Sequence, residues 1–409
     1  MNRRFVEAVI ATFRQGDRDI CGADLHRIDT RDWRRGWHWL DASGLALYFR
    51  QQVATLGLEA YIPADILSAL DRRLQDNKQR TVQLFKEFQA INSAFQKSGL
   101  HYVNLKGFTL IPDYCPDPAL RCQFDLDFMV PQSERGLCEA TLESRGYAVT
   151  GKHGNVIEFK AGSDQVPSIR YLYKSRSQRS VEVHLVCPSK ADLPVDADVI
   201  FRRQDRICNG EVFPVLSDVD LFLAQAEHLL RHLRSEWTRI SWLLEFRTFV
   251  NSRVEDTRLW QDVRNLATVN PDAALAVGVA VVLATQAFGD FAPSELLGWS
   301  IEAVPGSTRL WLDHYGETVL RSDFPGTKLY LLLDGELSNS EGVRKATLAK
   351  LFPIHRPPRI TYSDGRRSLR ASLSQIWFGL FRLRFHIIEG SRYVMAACQW
   401  RRITSGQSG

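Results

Sequence analysis

No two cysteines in this chain are spaced Cys-x-x-Cys, and the seven cysteines are an odd number. That pattern excludes a disulfide framework and a structural zinc site of the paired type, and it points to a reducing cytoplasm. Long hydrophobic runs are equally scarce. The most apolar stretch, AALAVGVAVVLATQAFG near residues 273–289, falls short of the roughly 20 residues that cross a bilayer, so it reads as a buried helix. The N-terminus, MNRRFVEAVIATFRQGDRD, sets two arginines before an apolar run that Glu7 interrupts, which is not the layout of a secretory signal. Neither sign of charge is in large excess. The 52 Lys and Arg against 47 Asp and Glu give a net charge of +5, which argues against long nucleic acid as a partner and suits an anionic small substrate. There is no internal repeat, and the only low-complexity stretch is the tail TSGQSG, expected to be disordered over residues 401–409.

What is present is the composition of a folded protein: 409 residues, 44% hydrophobic, 24% charged and 11% aromatic, enough for more than one domain with its own core. Up to about residue 100, DWRRGWHWLDASGLALYFRQQVATLG and ADILSALDRRLQDNKQRTVQLFKEFQAINSAFQKSG place apolar residues at three- and four-residue spacing, predicting helices, with Gly99 closing the second. The period then changes. HYVNL predicts a short strand, KGFTLIPDY a turn into a short helix, FDLDFMV a strand, and SERGLCEATLESRGY a helix capped by Ser133. NVIEFK, IRYLYK and SVEVHLV predict three more strands, joined by the hairpin connections AGSDQVPS and SRSQRS. From Leu216 the pattern is helical again. The expected architecture is α+β: a helical region over 1–100, a small mixed sheet over 101–215, a helical region over 216–400, and the tail.

The chemistry concentrates in RCQFDLDFMV, residues 121–130. Asp125 and Asp127 sit two apart in a strand of Phe, Leu, Met and Val, so they share one face while Leu126 takes the other. Two buried carboxylates that close repel, and one takes a proton unless a cation or donors compensate them. Glu182 of VEVHLV offers a third acid on a strand, with His184 on its own side. Carboxylates on neighbouring strands bind hard divalent cations such as Mg²⁺ or Mn²⁺ through oxygen, an arrangement that suits phosphoryl or nucleotidyl transfer. Lys106 and Gly107 follow a strand directly, where an ammonium and backbone N–H groups can approach a triphosphate, and Arg121 offers a fork for phosphate.

Taken together, NLKGFTLIPDYCPDPALRCQFDLDFMV resembles the uncharacterised nucleotidyltransferases, nucleotidyltransferase family 5, of the DNA polymerase β-like superfamily. The likeness runs from the helical lead with Asn77 through SRGY, VEVHL and the helix AEHLLRHLRSEWTRISWLLEF, across most of residues 30–250. It implies a nucleotidyltransferase fold with metal carboxylates on adjacent strands. Asp125 and Asp127 match the metal ligands, Glu182 the third acid, and Lys106, Gly107 and Arg121 the nucleotide side, with His184 near the phosphates or acceptor. It also implies transfer of a nucleoside monophosphate, AMP from ATP being the expected case, with release of pyrophosphate, and the helical regions on both sides of the sheet favour a small-molecule or peptide acceptor. Two positions depart from the wider pattern. Phe108 stands where Ser or Gly is usual, and Phe124 where Ser often precedes the first Asp, so a catalytically inactive binding module of the same fold is the alternative reading.

His228 and His232, four apart on one helical face, have the spacing of zinc helices, but the acid precedes the first His and no third ligand is evident. With Arg239 they are expected to be structural or to face the substrate, as the resembling family carries a similar His and Arg helix. Trp237 and Trp242 are expected in the core. Lastly, HRPPRITYSDGRRSLRASLSQIWFGLFRLRFHII mixes arginine with large apolar residues; it is expected to be a packed helix with solvated arginines, the alternative being that residues 371–400 rest on an anionic membrane surface or a protein partner.

Overall fold

The computed structural model describes residues 3–14, 17–162, 171–175, 177–186, 202–338, 347, 349–351 and 369–405. Five helices lead: α1 (Arg3–Ala11), α2 (Arg18–His26), α3 (Thr30–Ala42), α4 (Ala46–Leu56) and the long α5 (Ala64–Lys97). Aspartates cap two of them, Asp17 accepting from Asp19 N and Asp29 from Asp32 N, which satisfies backbone donors that the helix cannot. Gly99, at φ +72°, turns the chain out of α5, and Leu100 N donates back to Phe95 O at 3.0 Å.

The sheet follows, with α6 (Arg135–Ser144) between its strands. Its strands are β1 (Val103–Leu105), β2 (Leu126–Pro131), β3 (Ala148–His153), β4 (Val156–Ala161), β5 (Arg179–Val186), β6 (Arg203–Cys208) and β7 (Glu211–Leu216). They form one seven-stranded mixed sheet in the order β3-β4-β5-β2-β1-β7-β6. β2 runs parallel to β5 and antiparallel to β1, and the β2–β5 register sets Asp127 beside Glu182 and Met129 beside His184. Leu126, Phe128, Val130, Val181, Val183 and Leu185 point to the opposite face and pack with Phe85, Phe88, Ile91 and Phe95 of α5 and Leu142 of α6. Burying that face fixes the register, because a slip of one residue would turn every side chain over.

Helices return with α7 (Asp218–Leu233), α8 (Ile240–Ser252), α9 (Thr257–Val269), α10 (Pro271–Phe288), α11 (Ser294–Glu302), α12 (Gly306–Trp311), α13 (Glu317–Leu320), α14 (Tyr330–Leu337) and α15 (Leu369–Ser405). α10 is long and apolar enough to cross a membrane, but most of it is buried among α7, α8, α9 and α11. The leading and trailing helices are not separate flanks. Phe5, Trp33 and Trp39 share one core with Phe222, Phe246 and Trp260, and Arg14 Nε donates to Ala287 O at 2.9 Å.

Several expectations are corrected. α6 begins at Arg135 after a 3₁₀ turn over Gln132–Glu134, and no side chain caps it, so Ser133 is not its cap. Of IRYLYK, Tyr171–Lys174 forms a turn instead of a strand, held by Tyr173 Oη donating to Asp41 Oδ1 at 2.9 Å. Ile169, Arg170 and residues 163–168 of the connection AGSDQVPS lie outside the described residues. β3, β6 and β7 were not anticipated. At the other end, residues 401–405 continue α15, while 406–409 lie outside the described residues.

Candidate functional site

β2 begins at Leu126, so Asp127 lies within the ladder and Asp125 immediately before it. Asp127 is 4% exposed and turns away from the packed face, toward α7 and the segment leading into α8. Among the described residues, Asp127, Glu182 and His184 bring one ligand atom each to within 4.8 Å of one another. His184 Nε2 is 3.3 Å from Asp127 Oδ1 and 3.8 Å from Glu182 Oε2. Sequence reasoning set His184 with the phosphates. The structure brings it in among the carboxylates, as its position two beyond Glu182 on the same strand allows. Glu158 of β4, in register with Glu182, extends the acidic row by one strand.

The electrostatics differ from one acid to the next. Burial, and then the neighbouring Asp127 charge, push Asp125 up to about 6, with Lys106, Arg121 and Arg239 opposing. Burial also pushes Asp127 upward, but Lys106 and His184 outweigh it and hold this carboxyl at about 2. Glu182 rises to about 7 through burial and the charges of Asp125 and Asp127. The site therefore has one firmly ionised carboxylate and two that take protons near neutrality.

Lys106 Nζ sits 2.8 Å from Asp127 Oδ1. The turn that delivers it is unusual, with Lys106 at φ +49° and Gly107 at φ +51°. Gly107 is required twice over: its φ is left-handed, and a Cβ there would meet Gln123 Nε2 at 2.2 Å. Gln123 Nε2 in turn donates to Asp125 O at 2.7 Å, so the Lys-Gly turn is braced against the approach to β2.

Phe108 does not face the site. It is 3% exposed, and its ring packs at 5.1 Å from both Phe85 and Phe88 beneath the sheet. Phe124 lies under two guanidiniums, Arg80 at 4.8 Å and Arg239 at 5.3 Å from the ring centroid. Arg121, expected on the nucleotide side, is held by Glu245, with Nε 3.1 Å from Oε1, and Tyr48 Oη donates to the same carboxylate at 2.8 Å. Asn77 Nδ2 donates to Ala119 O and Arg121 O at 2.7 and 3.1 Å, which fixes the loop ahead of β2. Glu245 was missed because it lies 124 residues beyond Arg121 with no local signal.

His228 and His232 come together with Trp242, rings 4.4–4.8 Å apart. Burial and then the nearby Lys106 charge lower His228 to about 2 and His232 to about 4, so both imidazoles are neutral at pH 7. Among the described residues, His228 Nδ1 is buried without a hydrogen-bond partner, as is Arg239 Nε, whose guanidinium also lies over Trp237 and Trp242. His232 reaches an open cavity of about 710 Å³ whose walls include Trp237, Phe324, Tyr330, Lys350 and Arg382. Trp237 thus lines a cavity instead of the core.

The family profile described as an uncharacterised nucleotidyltransferase matches residues 29–289. The chain belongs to this nucleotidyltransferase family. It is a transferase by family, and transfer of a nucleoside monophosphate is the general chemistry of that group. No curated protein matches the chain. Among solved structures, the antibiotic-resistance factor ANT(2'')-Ia is similar at 16% identity and a TM-score of 0.31, over 46% of this chain and 96% of that one. An antigenic nucleotidyltransferase-like protein from Paracoccidioides brasiliensis is similar at 12% identity and a TM-score of 0.28, over 49% of this chain and 90% of that one.

Proposed function

We propose that the protein moves a nucleoside monophosphate from an NTP, ATP being the first candidate, to a hydroxyl or other nucleophile on a small molecule or peptide, releasing pyrophosphate. The observation that carries this reading is the convergence of Asp127, Glu182 and His184 donor atoms within 4.8 Å across two paired strands. Two carboxylate oxygens with one imidazole nitrogen fit Mg²⁺ or, through the imidazole, Mn²⁺. A divalent ion held there would neutralise the triphosphate and the charge that develops on the leaving oxygen.

The chain's own groups divide the remaining work. The acceptor oxygen forms its bond to the α-phosphorus, the bond from that phosphorus to the bridging oxygen breaks, and pyrophosphate departs with the electron pair. Asp127 stays ionised throughout the neutral range and keeps the anchoring negative charge. Glu182, at about 7, is matched to receive the acceptor proton at neutral pH. Asp125 adds charge beside both. Lys106, on its braced turn, is the mobile cation that can pass from Asp127 to a phosphate oxygen. His232, beside the neutral His228, lines the 710 Å³ cavity, whose size falls in the range that takes a small-molecule or short peptide acceptor.

Calorimetry with each of the four NTPs, with and without Mg²⁺, tests this directly on the wild type and on Asp125→Asn/Asp127→Asn. Metal-dependent binding that disappears in the variant is expected. Failure of every nucleotide to bind would overturn the reading in favour of an inactive module.

A further inference from the structure

α15 has two unlike faces. One is anchored to the body: Phe385 and Trp400 are buried, Arg382 Nη1 pairs with Glu236 Oε2 at 2.7 Å, and Trp400 Nε1 donates to Glu336 Oε1 at 2.7 Å. Tyr393 and Ala396, on the same side, pack against the main core. The helix is therefore held in one orientation, and its opposite face is presented outward.

That outward face is apolar along most of its length. Leu373, Ile376, Trp377, Leu380, Leu383 and Ile387 recur at three- and four-residue spacing, and Val394 and Met395 continue the stripe. Each is exposed, Trp377 at 71% and Leu380 at 53%. A contiguous apolar face of this kind is rare on a soluble monomer and marks an interaction surface. Its charge says which kind. Arg384 and Arg402 fall within the stripe and Arg401 at its edge, all exposed and without an ion pair among the described residues. Glu389, the one acid in α15, is buried on the anchored side and paired with Arg392 at 2.5 Å.

We propose that the outward face of α15 docks on an anionic lipid surface. Large apolar side chains enter the boundary between headgroups and acyl chains, the exposed tryptophan sits at that level, and arginines reach up to the lipid phosphates. A second copy of the chain fits this face less well. Packing the stripe on itself would bring arginines together with no outward acid to meet them.

The test is flotation of the full-length protein with vesicles of phosphatidylcholine alone and of equal parts phosphatidylcholine and phosphatidylserine, alongside light scattering of the protein without lipid. Binding to the anionic vesicles should exceed binding to the neutral ones by about tenfold or more and fall with added salt. Trp377→Ser/Leu380→Ser and, separately, Arg384→Glu/Arg402→Glu should each abolish it. None of these four residues contacts the core, so helical content and melting should be unchanged. Three results would overturn the proposal: no flotation with either vesicle, equal flotation with both, or a dimer mass that Trp377→Ser/Leu380→Ser returns to a monomer.

Discussion

Lys106 and Asp127 form an ion pair of 2.8 Å at the point where β1 ends beside β2, and this contact makes the acids of the site unequal. Asp127 has its counter-charge in the protein, whereas Asp125 and Glu182 lack one of comparable strength. Substitutions that look alike on paper should therefore move stability in opposite directions.

Glu182→Gln and Asp125→Asn remove repulsion and should raise stability near pH 7 in metal-free buffer by about 1–2 kcal/mol each. Asp127→Asn leaves Lys106 partly buried and unpaired, and should lower stability by about 1–3 kcal/mol. All three should lose most transferase activity. Urea unfolding followed by circular dichroism measures the first two effects, and a stabilised Asp127→Asn would mean that Lys106 does not depend on it.

The pH dependence of stability follows from the same inequality. Asp125 and Glu182 titrate higher in the folded protein, about 6 and about 7, than their ordinary values of 3.8 and 4.5. Their contribution is thus fully present below about pH 4 and is lost as pH rises through 6 to 7. Asp127 acts oppositely, its contribution being present above its ordinary 3.8 and lost as pH falls through about 2. Melting temperature in EDTA should decline between about pH 4 and 7 from this site, and Glu182→Gln should flatten the decline. Added Mg²⁺ or Mn²⁺ should flatten it too, and melts that ignore the metal at pH 7 would argue against a cation at these carboxylates.

Phe108→Ser restores a hydroxyl at the position where the wider superfamily often has one. Because the ring belongs to the aromatic cluster with Phe85, Phe88 and Phe213, the change should cost about 3–5 kcal/mol of stability and bring no gain in NTP affinity. Nucleotide titration and denaturant unfolding of the same preparation distinguish the two effects. Tighter NTP binding in the variant would place position 108 at the phosphates.

Arg121→Ala strips the counter-charge from the buried Glu245 and should destabilise by about 3–5 kcal/mol. The paired change Arg121→Met/Glu245→Leu should recover much of that loss. A variant Arg121→Ala with unaltered unfolding and a weakened nucleotide affinity would return Arg121 to the nucleotide side.

β5 was legible because its side chains alternate in burial, and β2 because Asp125 and Asp127 interrupt an apolar run at a spacing of two. The same alternation exposed Asp127, Glu182 and His184, though the grouping of His184 with the acids needed the β2–β5 register. The missed strands lack that contrast. β6 is polar and mostly exposed along RQDRIC, β3 is irregular between Val149 and Gly151, and β7 contains Pro214, which argues against a strand within a sheet. IRYLYK misled for the converse reason. Its buried Tyr173 answers to Asp41, 132 residues away, and not to a sheet. The partners of Arg121 and Phe108 were not legible on the same ground, since Glu245 and the aromatic cluster are visible only in three dimensions.

The parallel pairing of Asp127 with Glu182 dictates the path of the chain between them. Parallel neighbours cannot be joined by a tight turn, so the chain must leave the sheet after Pro131 and return at Arg179, passing through α6 and the β3–β4 hairpin on the way. The length and content of most of that detour have no bearing on where the two acids meet, because the ladder between β2 and β5 alone decides it. A change of length between α6 and β3 that leaves the β2–β5 ladder intact therefore leaves Asp127 beside Glu182.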